Sequence, residues 1–263
     1  MTISGVPYID IGTYNFTEGG YTPPTWSGST YNFGEGLAGT LKQIWTDDDY
    51  VYAAVSQEFA IIEIESELKY AYSSIGCNTV WSNDDRVFIG TTSGIKWLYK
   101  TCISGSTDSP YDISNCLNDY NLQYGYSHHN ILYLHGYSDE WFMFCTPNGV
   151  DVYRFEPQGY RSTTSITTAQ KCFMTSTGAF YYTTSGTEWA LHRMNSSTSD
   201  WTTPDVSYIT GSGIFAEGIR LNDLFVTENT SQGGTDNVLF VATSSGVYVI
   251  DEEAQNYNLY YIE

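Results

Sequence analysis

Carboxylates in runs are the first residues that could do chemistry. They occur as Asp47-Asp48-Asp49, Asp84-Asp85 and Glu252-Glu253. Two or three carboxylates around a central channel cleave glycosides by acid–base chemistry, so a polysaccharide hydrolase using Asp48 and Asp84 is one reading. The Asp triplet also offers hard oxygens to calcium, but it lacks the alternating ligand loop. Histidine is the next candidate. His128, His129 and His135 lie close together, with Asp139 and Glu140 nearby, and His192 is remote. A metal needs three or four converging ligands, and no recognised ligand spacing is present. No G-x-S-x-G, P-loop or strand-linked G-x-G-x-x-G occurs. The expectation is a protein with no catalytic residues, no cofactor and no metal.

Cys77, Cys102, Cys116, Cys145 and Cys172 make an odd set with no C-x-x-C pair. The first residues lack the basic and apolar regions of a secretory signal. Reduced thiols made in a cytoplasm are therefore expected, although Cys102 and Cys116 flank a polar loop and could meet. The chain carries 30 acidic and 10 basic residues, a formal charge of −20. That field disfavours nucleic acid and anionic membranes. No apolar run is long enough to span a bilayer.

The elements that hold these residues follow from an internal repeat. Trp45-Thr46-Asp47-Asp48-Asp49-Tyr50-Val51-Tyr52 matches Trp81-Ser82-Asn83-Asp84-Asp85-Arg86-Val87-Phe88. The Asp pairs fall at one position of the repeat, which assigns Asp48, Asp49, Asp84 and Asp85 to a structural turn rather than to catalysis. Downstream, Val87-Phe88-Ile89-Gly90-Thr91-Thr92-Ser93-Gly94-Ile95 aligns without a gap on Leu239-Phe240-Val241-Ala242-Thr243-Ser244-Ser245-Gly246-Val247. The stretches from Val51, Phe142 and Phe180 follow the same template. Each is an apolar strand, a polar turn and a second strand, with Gly94, Gly149, Gly186 or Gly246 supplying the turn's positive φ. Five units over residues 41–263 average about 45 residues each, the size of a four-stranded propeller blade. The predicted fold is all-β: a single β-propeller of about five blades over 41–263, with an extended N-terminal arm over 1–40.

The units are unevenly spaced, and the long gaps hold polar insertions over 104–121, 196–213 and 227–236. Such loops either decorate the surface or carry binding. The last strand, over 258–262, is expected to complete a blade begun elsewhere and so close the ring. Trp45, Trp81, Trp97, Trp141 and Trp189 fall at blade strands and read as packing residues. Trp26 and Trp201 read as contact residues.

The arm has too few aliphatic residues for a core of its own but carries Tyr8, Tyr14, Phe16, Tyr21, Trp26, Tyr31 and Phe33. A Tyr-Asn-Phe-x-Glu-Gly motif occurs twice, at Tyr14 and Tyr31, with Pro23-Pro24 favouring extended chain between the copies. The stretch Asn15-Phe16-Thr17-Glu18-Gly19-Gly20-Tyr21-Thr22-Pro23-Pro24, followed by Tyr31-Asn32-Phe33, resembles a segment recurring in virion proteins of tailed bacteriophages. It covers about 20 residues, with Tyr14, Tyr31 and Gly20 departing from the commonest spelling. The resemblance implies a virion protein with a short attachment module, made in the host cytoplasm. The arm, through Tyr8, Tyr14, Phe16, Tyr21, Pro23, Pro24, Trp26, Tyr31 and Phe33, either packs back on its own propeller or docks on a partner chain. Expected partners are other virion proteins of tail, collar or capsid, and copies of itself. The alternative function is an adhesion module for a host receptor or glycan, with Tyr-rich loops as the contact surface; the hydrolase stands third.

Overall fold

The second strand of each unit is a continuous apolar run, which fits a strand covered on both faces. In the computed structural model Tyr50–Val55 and Arg86–Thr91 are buried at every position. The structure describes residues 2–3, 6–14, 26–32, 39–64, 69–103, 111–120, 130–137, 141–154, 159–164, 168–175, 180–185, 190–194, 219–229, 236–251 and 256–260. Nearly all of these lie in strands, and the exceptions include two single 3-10 turns, Lys100–Cys102 and Ser114–Cys116.

The N-terminal region forms β1 (Thr2–Ile3), β2 (Val6–Tyr14) and β3 (Trp26–Asn32). The first blade-like sheet begins with β4 (Leu41–Thr46), β5 (Tyr50–Val55), β6 (Phe59–Glu63) and β7 (Lys69–Ser73). The second begins with β8 (Cys77–Ser82), β9 (Arg86–Thr91) and β10 (Gly94–Tyr99). Two short strands follow, β11 (Tyr111–Asp112) and β12 (Asn118–Asp119). The third sheet holds β13 (Tyr133–Tyr137), β14 (Trp141–Thr146), β15 (Gly149–Arg154) and β16 (Gly159–Thr164). The fourth holds β17 (Ala169–Met174), β18 (Phe180–Thr184) and β19 (Ala190–Met194). The fifth holds β20 (Leu221–Asn229), β21 (Asp236–Thr243), β22 (Gly246–Asp251) and β23 (Asn256–Tyr260). Within each unit the strands form an antiparallel meander in chain order.

Four buried apolar layers join these sheets in sequence. Tyr52, Phe59 and Ile61 of the first pack with Val80, Val87 and Ile89 of the second. Phe88 and Ile95 meet Leu134, Phe142 and Phe144 of the third. Met143 and Val152 meet Cys172, Met174 and Tyr182 of the fourth. Tyr181 and Leu191 meet Leu224, Val241 and Tyr248 of the fifth. Among the described residues, no such layer joins the fifth sheet to the first. On its other face the first sheet keeps a separate buried cluster of Val51, Ala53, Val55, Ala60 and Ile62.

Three expectations change. The insertion over 104–121 is not surface decoration in its described part. Its β11 runs parallel to β7 and so widens the first sheet, while β12 pairs with β10 and completes the second. Ile103, just before it, and Ile113, within it, are fully buried in the layer between those sheets. This folding back brings Cys102 and Cys116 to a Cα separation of 6.3 Å, and they form a disulfide instead of the expected free thiols. Cys77, Cys145 and Cys172 are free and buried. Finally, β23 pairs with β22 of its own sheet, Val247 opposite Tyr260, so the last strand does not complete a blade begun elsewhere.

The N-terminal strands are extended, but the segment doubles back. β2 and β3 pair antiparallel from Tyr8 opposite Asn32 to Tyr14 opposite Trp26. Together with β1 they form a three-stranded sheet that, among the described residues, shares no ladder with the other five.

Candidate functional site

Pairing with the second strands sets the register of every first strand. Gln43, Thr79, Tyr133, Lys171 and Asp223 stand opposite Ala54, Gly90, Cys145, Thr183 and Ala242, which are equivalent template positions. One polar residue per sheet therefore occupies this level. Four of the five strands reach it through a bulge, at Lys42, Asn78, Gln170 and Asn222. A bulge adds one residue, which re-aims the following side chain.

Two residues further along, Trp45, Trp81, His135, Phe173 and Phe225 occupy the next equivalent level with side chains to the same face. Their rings touch. His135 lies 5.3 Å from Trp45 edge-on and stacks on Phe173 at 3.7 Å, and Phe173 meets Phe225 edge-on at 5.5 Å. Trp81 lies 6.1 Å from His135. Gly136 is what admits the Trp81 ring, since a Cβ there would overlap it. Burial pushes the His135 imidazole down to about 3, so it is neutral. Its Nδ1 accepts the Met174 amide at 3.2 Å, which leaves the proton on Nε2.

The polar level is bonded sheet to sheet. The Thr79 hydroxyl donates to Gln43 Oε1 at 2.6 Å, and the Val80 amide donates to the same oxygen at 2.9 Å. The Leu134 amide donates to Thr79 Oγ1 at 3.0 Å. The Tyr133 hydroxyl donates to Asp223 Oδ1 at 3.0 Å. Lys171 lies 4.0 Å from that oxygen with its ammonium over the Tyr133 ring at 4.3 Å. Burial, then the Asp223 charge, push the Tyr133 phenol well up.

A cavity of about 250 Å³ opens where the fifth sheet faces the first. One wall is Gln43, Ile44 and Trp45 of β4, and Asp223, Phe225 and Phe240 stand on the fifth-sheet side. Phe225 is 48% exposed and Ile44 36%. Large apolar side chains are thus open to solvent at this junction.

The repeated turns are built differently from the expectation. The bonding side chains are Asp47 and Asn83, one residue ahead of the Asp pairs. Asp47 Oδ1 accepts the Asp49 and Tyr50 amides, and Asn83 Oδ1 accepts the Asp85 and Arg86 amides. Asp48, Asp49, Asp84 and Asp85 are exposed at the tips. Asp47 Oδ2 also accepts Tyr52, Ser82 and Lys100, each at 2.7 Å. Burial alone would raise this carboxyl, but Lys100, Ser82, Tyr52 and the Tyr50 amide outweigh it and hold the group below its ordinary range. Gly94, Gly149 and Gly246 take the positive φ expected of them. A threonine three residues earlier, Thr91, Thr146 or Thr243, donates back to that glycine's carbonyl. Gly186 lies outside the described residues, as do Phe16, Tyr21, Pro23, Pro24, Phe33, His128, His129, Trp189 and Trp201. Of the arm residues, the ladder sets Tyr14 opposite Trp26 and Tyr31 opposite Ile9, so the two motif copies begin at opposite ends of the hairpin. Among the described residues no three His, Cys, Asp or Glu side chains gather as a metal site.

Sequence reasoning caught Trp45 and Trp81 but missed the aromatic level they belong to. Turns of different length follow the first strands, so the offset from His135, Phe173 and Phe225 to their anchor strands drifts.

No protein-family model matches the chain, and no curated protein matches it. Among solved structures it is similar to the extracellular domain of a putative one-component system from B. thetaiotaomicron, at 14% identity and a TM-score of 0.57, over 89% of this chain and 31% of that one. It is also similar to the extracellular domain of a putative hybrid two-component system from B. thetaiotaomicron, at 11% identity and a TM-score of 0.53, over 88% of this chain and 31% of that one. The N-terminal domain of Nup159 matches at 8% identity and a TM-score of 0.53, over 83% of this chain and 61% of that one. The chain thus spans about a third of the length of the bacterial structures. At these identities the likeness concerns the fold alone, which is all-β and β-propeller-like.

Proposed function

We propose that the chain is a non-enzymatic virion structural protein of a tailed bacteriophage, a five-bladed β-propeller joined to tail, collar or capsid by its N-terminal sheet. The observation that carries this reading is the separateness of β1–β3, a sheet that, among the described residues, pairs with none of the five blade-like sheets. Its edge strand β3 offers backbone donors and acceptors, and a partner's strand could extend the sheet there. The resemblance of residues 15–33 to a virion-protein segment points to the particle as that partner, and repeated virion sites imply several copies. The Cys102–Cys116 disulfide suits a protein that ends outside the reducing cytoplasm. Ring closure is part of the proposal: the first and fifth sheets both line one cavity, which suits five blades around an axis. A structural role also fits Asp48 and Asp84, the carboxylates a hydrolase would have used, because they stand exposed on turns of two different sheets.

Deleting residues 1–36 tests the reading. The truncated protein is expected to keep its β-sheet circular dichroism and cooperative unfolding while disappearing from purified particles. Electron microscopy of those particles should then lack a discrete appendage. A truncated protein that still joins the particle refutes the proposal.

A further inference from the structure

We infer that the cavity between the fifth and first sheets is a binding site for one neutral sugar ring. Its walls are mostly apolar and its volume, about 250 Å³, suits a ligand of hexose size. Trp45, Phe225 and Phe240 supply aromatic surface, which the C–H face of a pyranose can cover. Two polar atoms complete the site. Gln43 is 7% exposed and lines the cavity, yet both hydrogen bonds of its amide are to Oε1, so Nε2 is left as an unpartnered donor among the described residues. Across from it Asp223 gives Oδ1 to Tyr133 and to the Leu224 amide, and its Oδ2 is an unpartnered acceptor among the described residues.

A donor and an acceptor flanking aromatic surface match hydroxyl groups, each of which both gives and takes a hydrogen bond. Charge argues for neutrality. Lys171 already faces Asp223, so a cationic ligand would compete with it. An anionic one would enter against a chain of charge −20. Its test is independent of particle assembly.

The full-length protein is titrated with glucose, galactose and N-acetylglucosamine, and binding is read by saturation-transfer NMR. At least one sugar is expected to saturate with a Kd of about 1 mM or somewhat weaker. Phe225→Ala removes an exposed stacking face, and Asp223→Asn turns the free acceptor into a donor. Each should weaken binding at least about tenfold with an unchanged near-ultraviolet circular dichroism spectrum. Absence of saturable signal from all three sugars overturns the assignment, as does binding that both variants leave intact.

Discussion

The junction between the first and second sheets and the junction between the fifth and first use the same template positions to opposite ends. At the first, Gln43 reaches across to Thr79 and Val80, Asp47 collects Tyr52, Ser82 and Lys100, and Ile103 and Ile113 are driven into the apolar layer. A disulfide then clips the insertion that spans both sheets. At the second, the equivalent positions leave Phe225 half exposed and give Asp223 an open oxygen. A repeat supplies equal frames; what differs is whether the side chains of one unit are spent on the next unit or left to solvent. The sealed junction carries stability, and the open one is free to carry recognition.

Breaking the sealed junction should cost most. Asp47→Ala strips the carboxylate from Tyr52, Ser82 and Lys100 together and leaves a largely covered ammonium unpaired. A loss of about 3 kcal/mol is expected, read as a lower urea midpoint with the slope retained. Asn83→Ala removes only the turn bonds at the matching position and should cost about 1 kcal/mol. Equal losses in the two variants would mean that the turn, not the inter-sheet node, is what Asp47 supports.

Opening the clip should come next. Replacing both Cys102 and Cys116 by Ser frees a loop whose ends are 14 residues apart. The chain-entropy account gives about 3 kcal/mol for a loop near that length, and burial of Ile103 and Ile113 keeps part of the fold in place, so the measured loss should fall somewhat below that of Asp47→Ala. Calorimetry with and without reductant checks it; a wild-type transition unmoved by reductant would show the clip to be idle.

How far this division was legible in the sequence depends on distance along the chain. The hairpins were plain, because their cause is local: Thr91 and Gly94, or Thr243 and Gly246, lie within one turn. The Asp pairs lie in the turns, but a run of Asp does not reveal which side chain bonds the backbone. Asp47 and Asn83, the one position where Asp and Asn alternate, were the better pointer. The insertion over 104–121 was hidden altogether. Its polar composition reads as surface, and only the isolated Ile103 before it and Ile113 within it hint at burial. The cavity was equally invisible, because Gln43 and Asp223 share a template position only after two bulges and turns of unequal length are counted.

The smallest effect belongs to the open junction, and it sharpens the contrast most. Phe225 is 48% exposed and is held edge-on to Phe173. A fully buried phenylalanine cut to alanine loses about 3–5 kcal/mol. Here much of that surface is already wet, and the residue ties the fifth sheet only to the rim of the aromatic level. Phe225→Ala should therefore change the unfolding free energy by less than about 1 kcal/mol, measured in the same urea series as Asp47→Ala. A loss as large as that of Asp47→Ala would mean that the ring is sealed through Phe225 and that the cavity is a packing gap. A near-silent change places Phe225 outside the core's account of stability, where a large, half-wet aromatic side chain is retained for what it touches from outside.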